Sequence, residues 1–160
     1  MQVLAQDLLD QNSESLKGLG LYALRATPSL ASFSQLVHIE AEVSETYKSY
    51  IQQAYLSYLQ PQNMGVLNQA LQTKDKVLVL KSLNLLSINL QKVVKGDFTA
   101  FADPRNGRES GPGDSVSMTS FKGLISALSS LGLSQDQELA PLAQQVISYI
   151  QSTNTVAQNN

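Results

Sequence analysis

The chain of 160 residues contains no cysteine and a single histidine, His38. The absence of cysteine excludes disulfide frameworks, cysteine zinc sites, iron–sulfur clusters and thiol nucleophiles. A catalytic triad or a multi-histidine metal site would have to form without a second imidazole. Thiol and disulfide chemistry is therefore excluded, and imidazole chemistry is limited to one position.

Charged residues are also scarce, at 15% of the chain, and the formal net charge is −2. Gln, Ser, Asn and Thr are abundant instead, so the surface is expected to be polar but largely uncharged. Docking such a surface desolvates few full charges, which suits packing against other subunits. The small net charge gives no global case for binding nucleic acid or an anionic membrane.

Long apolar runs are missing as well. No stretch reaches the roughly 18 apolar residues of a membrane span, and the start Met1-Gln2-Val3-Leu4 has no basic segment before an apolar run. We therefore expect a soluble protein with neither a signal peptide nor a membrane span. The sequence does not identify the compartment; a cytoplasmic and a particle-associated location both fit. The length indicates one domain that can bury a core without disulfides or a structural metal.

Helical periodicity is clearest between Thr27-Pro28, a helix start signal, and Pro61, a stop signal. An apolar stripe repeats there at spacings of three and four residues: Leu36, Ile39, Val43, Tyr47, Tyr50, Ala54 and Tyr58. Its repeat of about eleven residues stays on one helix face with little supercoiling. The pattern predicts one long, Tyr-rich central helix over residues 27–60.

Further helices are expected on both sides of this segment. Residues 1–26 are helical in pattern: either Gly18 ends one helix, or Gly18 and Gly20 both admit a close neighbour. Residues 74–95 carry a strong apolar stripe in which Leu83 and Leu86 are predicted core residues.

The C-terminal third contains a long interruption between helical segments. Residues 97–118 break every periodicity and contain successive turn signals, which predicts a mobile loop. A helix over 121–131 and a last helix that opens at Ser134, through a Ser134–Gln137 capping box, follow. The sequence thus predicts an all-α fold: a bundle of about five helices with one long central helix and a long irregular loop. We expect a single domain over 1–151 and a loose tail over 152–160.

Candidate reactive groups are few. His38, Glu42 and Glu45 lie one and two turns apart, which resembles a one-histidine, two-carboxylate metal cluster, but they are expected on a solvated face. Glu40 falls on the apolar side, where a carboxylate needs a partner such as a Tyr hydroxyl, Lys or Arg. We expect this pairing to be structural, because no second carboxylate shares that face.

Nucleotide and hydrolase motifs give no support for an enzyme. The segment Gly18–Ala23 has the letters of a dinucleotide fingerprint, but no strand precedes it. The chain also lacks a phosphate-binding P-loop and a Gly-x-Ser-x-Gly elbow. We therefore expect no catalytic residues, no metal, no cofactor and no small-molecule substrate.

A basic helix face is the strongest indication of a partner. Residues 74–95 carry a net charge of +4, and four lysines fall within about 60° of one another on a helical projection: Lys74, Lys81, Lys92 and Lys95. Three apolar residues lie among them and form a candidate apolar interface: Leu78, Leu85 and Ile88. Exposed together, these side chains would indicate a contact surface. Arg105 and Arg108 in the loop extend a possible track of phosphate contacts.

These features favour a non-enzymatic subunit that packs into a larger multi-protein assembly, with other proteins or itself as the partner. The alternative is a small helical subunit of a nucleoprotein complex that contacts the nucleic-acid backbone through the lysines. Small helical subunits of CRISPR effector complexes are similar in size and habit, an analogy of class without a shared motif. A structural component of a virion or a secretion apparatus fits the composition equally well.

Overall fold

The computed structural model describes residues 14–97, 100 and 119–158. All regular structure in these ranges is helical, which confirms the all-α class. The helices are α1 (Glu14–Ala26), α2 (Leu30–Ile39), α3 (Glu45–Ser57), α4 (Met64–Leu71), α5 (Lys76–Val94), α6 (Thr119–Lys122), α7 (Ile125–Gly132) and α8 (Leu139–Gln158), with a 3-10 turn at Pro61–Asn63.

The chain divides into two compact units, Met1–Tyr58 and Leu59–Asn160. The first contains α1 to α3, and the second contains α4 to α8. Each has its own set of fully buried large side chains, such as Phe33 and Tyr55 in the first and Leu83 and Phe121 in the second. The expectation that residues 1–151 act as one domain remains a prediction.

The first unit corrects the predicted continuous helix over 27–60, because α2 and α3 are separate helices. The ring of Phe33 on α2 contacts Tyr55 and Tyr58, with centroid distances of 5.9 and 4.9 Å. In one straight helix, Phe33 and Tyr58 would lie about 37 Å apart at 1.5 Å per residue. Burying these three rings together therefore requires the chain to reverse between the two helices.

The reversal takes place between Glu40 and Ser44. Ser44 has extended backbone angles, φ −65° and ψ 158°, and precedes the first residue of α3. Apolar spacing continues unchanged across this turn, so the sequence pattern carries no trace of it. At the start of α2, the cap is Ser29, whose hydroxyl accepts a hydrogen bond from the Ser32 amide at 3.1 Å.

Helix α1 runs beside α3 in the same direction. It is helical through both glycines, so neither of them ends a helix. A Cβ placed on Gly18 would lie 3.1 Å from Cε1 of Tyr47, and further along Arg25 donates a hydrogen bond to Gln53 at 3.3 Å. Gly18 therefore admits a close neighbour.

In the second unit, α5 packs against α4 and α8, and α7 packs against α8. Leu83 and Leu86 are fully buried, which confirms the predicted core face of α5. The carboxylate of Asp75 accepts hydrogen bonds from the amides of Val77 and Leu78, at 3.0 and 3.3 Å. This N-cap makes Lys76 the first helical residue and leaves Lys74 before the helix.

The last helix differs from the prediction at both ends. Asp136, rather than Ser134, caps its start by accepting hydrogen bonds from the amides of Glu138 and Leu139, at 2.9 and 3.1 Å. Helix α8 continues to Gln158, so the tail predicted from residue 152 is helical as far as that residue. Thr153 in this segment is buried, and its hydroxyl donates to the Ile150 carbonyl at 2.8 Å.

The predicted mobile loop over 97–118 lies outside the described residues, except for Asp97 and Ala100.

Candidate functional site

The outer face of α5 carries a row of exposed or half-exposed residues, which we name the α5 surface stripe. Its members are Val77, Lys81, Asn84, Ile88, Lys92 and Lys95. Spacings of three and four residues keep them within about 80° on the helix. Val77 is 55% exposed and Ile88 is 57% exposed, so branched apolar groups stand in solvent between lysines.

Two of the three predicted interface residues lie elsewhere. Leu78 and Leu85 are buried in the second unit, which corrects the expectation that they form an exposed surface with Ile88. The physical reason is that α5 has neighbours on two sides, α4 and α8, and its buried residues span an arc of about 200° instead of one narrow stripe. Ile88 alone of the three is available to a partner.

The predicted basic residues are also divided. Lys81 is half-exposed and Lys92 is exposed within α5, and the exposed Lys95 is its C-cap. Lys74 is exposed but precedes the helix. The structure therefore keeps three of the four lysines on one helical face. Arg105 and Arg108 lie outside the described residues.

Lys76 forms the ion pairs at the start of α5. Its ammonium lies 2.9 Å from a carboxylate oxygen of Asp136 and 3.0 Å from one of Glu138, just before α8. The hydrogen bond from Lys76 and the backbone amides of Glu138 and Leu139 lower the pKa of Asp136 to about 2. The two carboxylates in turn raise the pKa of Lys76. Asp136 and Lys76 are therefore both held in their charged forms at neutral pH.

An open groove of about 460 Å³ lies beside the stripe, between α5 and α8. Its lining residues are Leu80, Asn84, Glu138, Pro141, Leu142 and Gln145. Gln145 accepts a hydrogen bond from Ser87 at 3.1 Å and donates one to Tyr149 at 3.2 Å. Two polar groups of the groove are therefore already engaged within the protein, since Glu138 is paired with Lys76 and Gln145 is held on both sides.

A second exposed apolar surface lies on the first unit, where α1 and α3 meet. We name it the α1–α3 seam and define it by Leu19, Tyr22 and Tyr50, which are 55%, 70% and 55% exposed. Tyr50 stacks at a tilt on Tyr47, with ring centroids 6.0 Å apart. The sequence prediction missed this seam, because Leu19 belonged to an apparent apolar stripe and Tyr22 was not singled out.

The four tyrosines of the predicted long helix fall into two groups. Tyr55 and Tyr58 are buried in the core, whereas Tyr47 is half-buried and Tyr50 is exposed. Burial, the charge of Glu40 and a hydrogen bond to its carboxylate raise the pKa of Tyr55. Burial raises the pKa of Tyr58 to about 12, and the Ser29 backbone opposes that shift in part.

The expected partner of Glu40 is present. Its carboxylate accepts hydrogen bonds from the Tyr55 hydroxyl at 2.9 Å and from the Gln52 amide at 3.2 Å. His38, Glu42 and Glu45 are exposed, as expected for a solvated face. Within the described ranges, no three His, Asp or Glu side chains are grouped so that they could hold a metal ion.

Helix α5 is also long and apolar enough to cross a membrane, with 19 residues and a mean hydropathy of 1.3. Half of it is buried against the rest of the protein. The core helix of a globular domain meets the same two criteria, and the burial of α5 favours that interpretation.

Comparisons of the chain with protein-family models, curated proteins and solved structures each returned no match. The chemistry of its own surfaces is therefore the basis for assigning a function.

Proposed function

We propose that the protein is a non-enzymatic subunit of a larger assembly and that it binds a partner protein through the α5 surface stripe. The observation that carries the proposal is Ile88, which is 57% exposed and lies between Lys81 and Lys92 on one face. When a protein partner buries an exposed branched side chain, the removal of its apolar surface from water contributes favourable free energy to binding.

The partner that fits this surface has an apolar patch edged by carboxylates. None of the six residues of the stripe is acidic, and three are lysines. Opposite charges across an interface speed the encounter and select the partner, while burial of the apolar centre supplies affinity. Two α5 stripes would bring lysines against lysines, so a symmetric pairing of stripes is disfavoured.

The same lysines support a second candidate function, contact with a nucleic-acid backbone. Phosphates could contact Lys92 and Lys95 but would leave Val77 and Ile88 without an apolar contact. The net charge of −2 over the chain also opposes attraction to a polyanion. We therefore place nucleic-acid binding second.

A photo-crosslinking residue at position 88 of the full chain, introduced in the cells that make the protein, tests the first proposal. We expect crosslinks to a protein, with the modified peptide containing apolar residues beside Asp or Glu. Position 133 is a matched control, because Leu133 is 86% exposed and lies in the α7–α8 connection, outside the α5 surface stripe. Equal crosslinking from both positions, or none from position 88, would contradict the proposal.

Replacing Lys81, Lys92 and Lys95 by Gln separates the two functions. A protein partner should still crosslink at position 88, with slower association. If the partner is a nucleic acid, the variant should bind single-stranded and duplex DNA probes with lower affinity than the wild-type protein does. The slope of log affinity against log salt should then flatten by up to about 0.9 for each duplex phosphate that the variant no longer neutralises. Lys122→Gln, an exposed lysine on α6, serves as the control.

A further inference from the structure

We infer that the protein partner of the α5 surface stripe binds as an amphipathic α-helix, which lies in the groove between α5 and α8. The inference rests on the function proposed above and adds the partner's secondary structure and its pattern of charge. It concerns the second unit alone, because that unit contains both helices.

The groove has two walls that are already joined to each other. Near the start of both helices, Lys76 pairs with Asp136 and Glu138. Further along both, Ser87 donates a hydrogen bond to Gln145. Helices α5 and α8 therefore run in the same direction, and these contacts hold them side by side. A partner does not have to order the walls when it binds, which lowers the entropic cost of binding.

A band of exposed and half-exposed apolar side chains lines the groove and continues onto the stripe. Its members are Val77, Leu80 and Ile88 on α5 and Pro141 and Leu142 on α8. Leu80, Pro141 and Leu142 line the groove itself. Val77 and Ile88 lie within about 80° of Leu80 on a helical projection of α5. One partner element can therefore bury the whole band, which contributes favourable free energy to binding.

The occupant of this groove has to satisfy its own backbone. All regular structure in the described ranges is helical, so those ranges offer no strand edge with which a partner strand could pair. A helix forms its backbone hydrogen bonds internally and places apolar residues in a groove at spacings of three and four. The distance along α5 from Val77 to Lys92 is about 22 Å at 1.5 Å per residue, which a helix of about 15 residues matches.

The two walls differ in charge, and this difference gives the partner helix two unlike flanks. The sequence of α8, Leu139–Gln158, contains no charged residue. The stripe on α5 carries the exposed residues Lys92 and Lys95, whereas Lys76 at the other end is already paired with two carboxylates. The partner helix therefore has Asp or Glu on the flank that faces α5, at the end over Lys92 and Lys95. Its flank toward α8 is uncharged.

Photo-crosslinking residues at positions 84, 88 and 141 of the full chain test the geometry in the cells that make the protein. Positions 84 and 88 lie about one turn apart on α5, and position 141 lies on the opposite wall. All three should crosslink to one segment of one protein. The residues crosslinked from 84 and 88 should lie about four positions apart in that segment. The segment should have apolar residues at spacings of three and four and acidic residues on one flank.

Synthetic peptides test the chemistry by fluorescence anisotropy with the full chain. Three peptides of about 15 residues share one stripe of leucines on a glutamine background. The first has Glu on one flank in its last two turns, the second has Lys there, and the third is the Glu peptide with two central prolines that break the helix. The Glu peptide should bind at least about tenfold more tightly than either of the others.

Variants of the chain locate the site of peptide binding. Ile88→Gln should weaken binding of the Glu peptide about tenfold. Lys92→Gln with Lys95→Gln should narrow the preference for the Glu peptide over the Lys peptide. Leu133→Gln and Lys122→Gln are the matched controls, since they change an exposed leucine and an exposed lysine outside the stripe and the groove. Both should bind as the wild type does, and circular dichroism confirms that every variant retains the fold.

Crosslinks from position 88 to a protein, with none from position 141 or with sites scattered over several segments, would overturn the groove helix and leave the proposed function standing. Absence of crosslinks from position 88 would remove both. Binding of the Lys peptide as tight as that of the Glu peptide would contradict the charge pattern, and equal binding of the proline peptide would contradict the helix. No detectable binding of the Glu peptide, or binding that Ile88→Gln leaves unchanged, would also overturn the inference.

Discussion

The hydroxyl of Tyr55 donates a hydrogen bond to a carboxylate oxygen of Glu40 across 2.9 Å. Glu40 is the C-cap of α2, and Tyr55 lies inside α3. The other carboxylate oxygen accepts from the Gln52 amide, and the Tyr55 ring meets Phe33 edge-on. One tyrosine thus joins the apolar core of the first unit to the turn that reverses the chain.

Tyr55→Phe should lower the free energy of unfolding by about 1.5 to 3 kcal/mol, because it removes a hydrogen bond to a charged group in a part-buried site. The ring and its packing on Phe33 are kept. Urea unfolding followed by circular dichroism measures the change. Tyr50→Phe removes a hydroxyl from an exposed ring and should stay within about 0.5 kcal/mol of the wild type. Equal effects of the two substitutions would show that the Glu40 contact contributes nothing.

Asp136 makes stability depend on pH in the acid range. Its pKa falls from 3.8 to about 2 in the folded chain, so its contribution is complete above 3.8 and is lost as the pH falls through about 2. Asp136→Asn should flatten the decline of the melting temperature in this window. Lys76→Gln should raise the pKa of Asp136, measured by NMR, because Lys76 is the largest cause of the shift. An unchanged Asp136 pKa in that variant would contradict the assignment.

Gly18 and Gly65 should respond differently to alanine. Both are helical, where Ala is favoured over Gly by up to about 1 kcal/mol. A Cβ on Gly65 meets no atom within 4 Å, whereas one on Gly18 crowds the Tyr47 ring at 3.1 Å. Gly65→Ala should therefore raise the unfolding midpoint in urea, and Gly18→Ala should raise it less or lower it. A larger gain at Gly18 would mean that the Tyr47 ring moves away without cost.

Leu83→Ala and Leu86→Ala should each destabilise the protein by about 2 to 5 kcal/mol, because both side chains are fully buried and their loss leaves a cavity. Leu133→Ala makes the same change at an exposed site and should cost less than about 0.5 kcal/mol. Thermal melts of the three variants give the comparison. Core variants that melt like Leu133→Ala would remove α5 from the core.

The sequence predicted α5 well, because one strong apolar stripe determines which residues of a helix are buried. It could not predict how wide that buried arc is. Leu78 and Leu85 lie at its edge and are buried because α4 and α8 both pack on α5, and the number of neighbours is a property of the tertiary fold. Ile88, on the opposite side of the edge, remains exposed.

The prediction of one long helix over 27–60 was wrong for a related reason. Apolar spacing is the same on either side of the Glu40–Ser44 turn, whereas the contacts of Phe33 with Tyr55 and Tyr58 reveal the reversal. The expected need of Glu40 for a partner was nevertheless correct, since it depends on chemistry and not on where the helix ends. Predicting the α1–α3 seam would have required knowing how two helices lie against each other. The periodicity of residues within one helix does not give that information.

The pairing of distant helices has a consequence for how the chain tolerates changes of length. Arg25 and Gln53 meet across 28 residues, and Ser87 and Gln145 meet across 58. Closing a loop twice as long adds only about 0.6 kcal/mol of chain-entropy cost. Insertions of a few residues between α5 and α6 should therefore leave the contact of α5 with α8 intact. Variants of this chain that differ in the length of this connection should then share the same core.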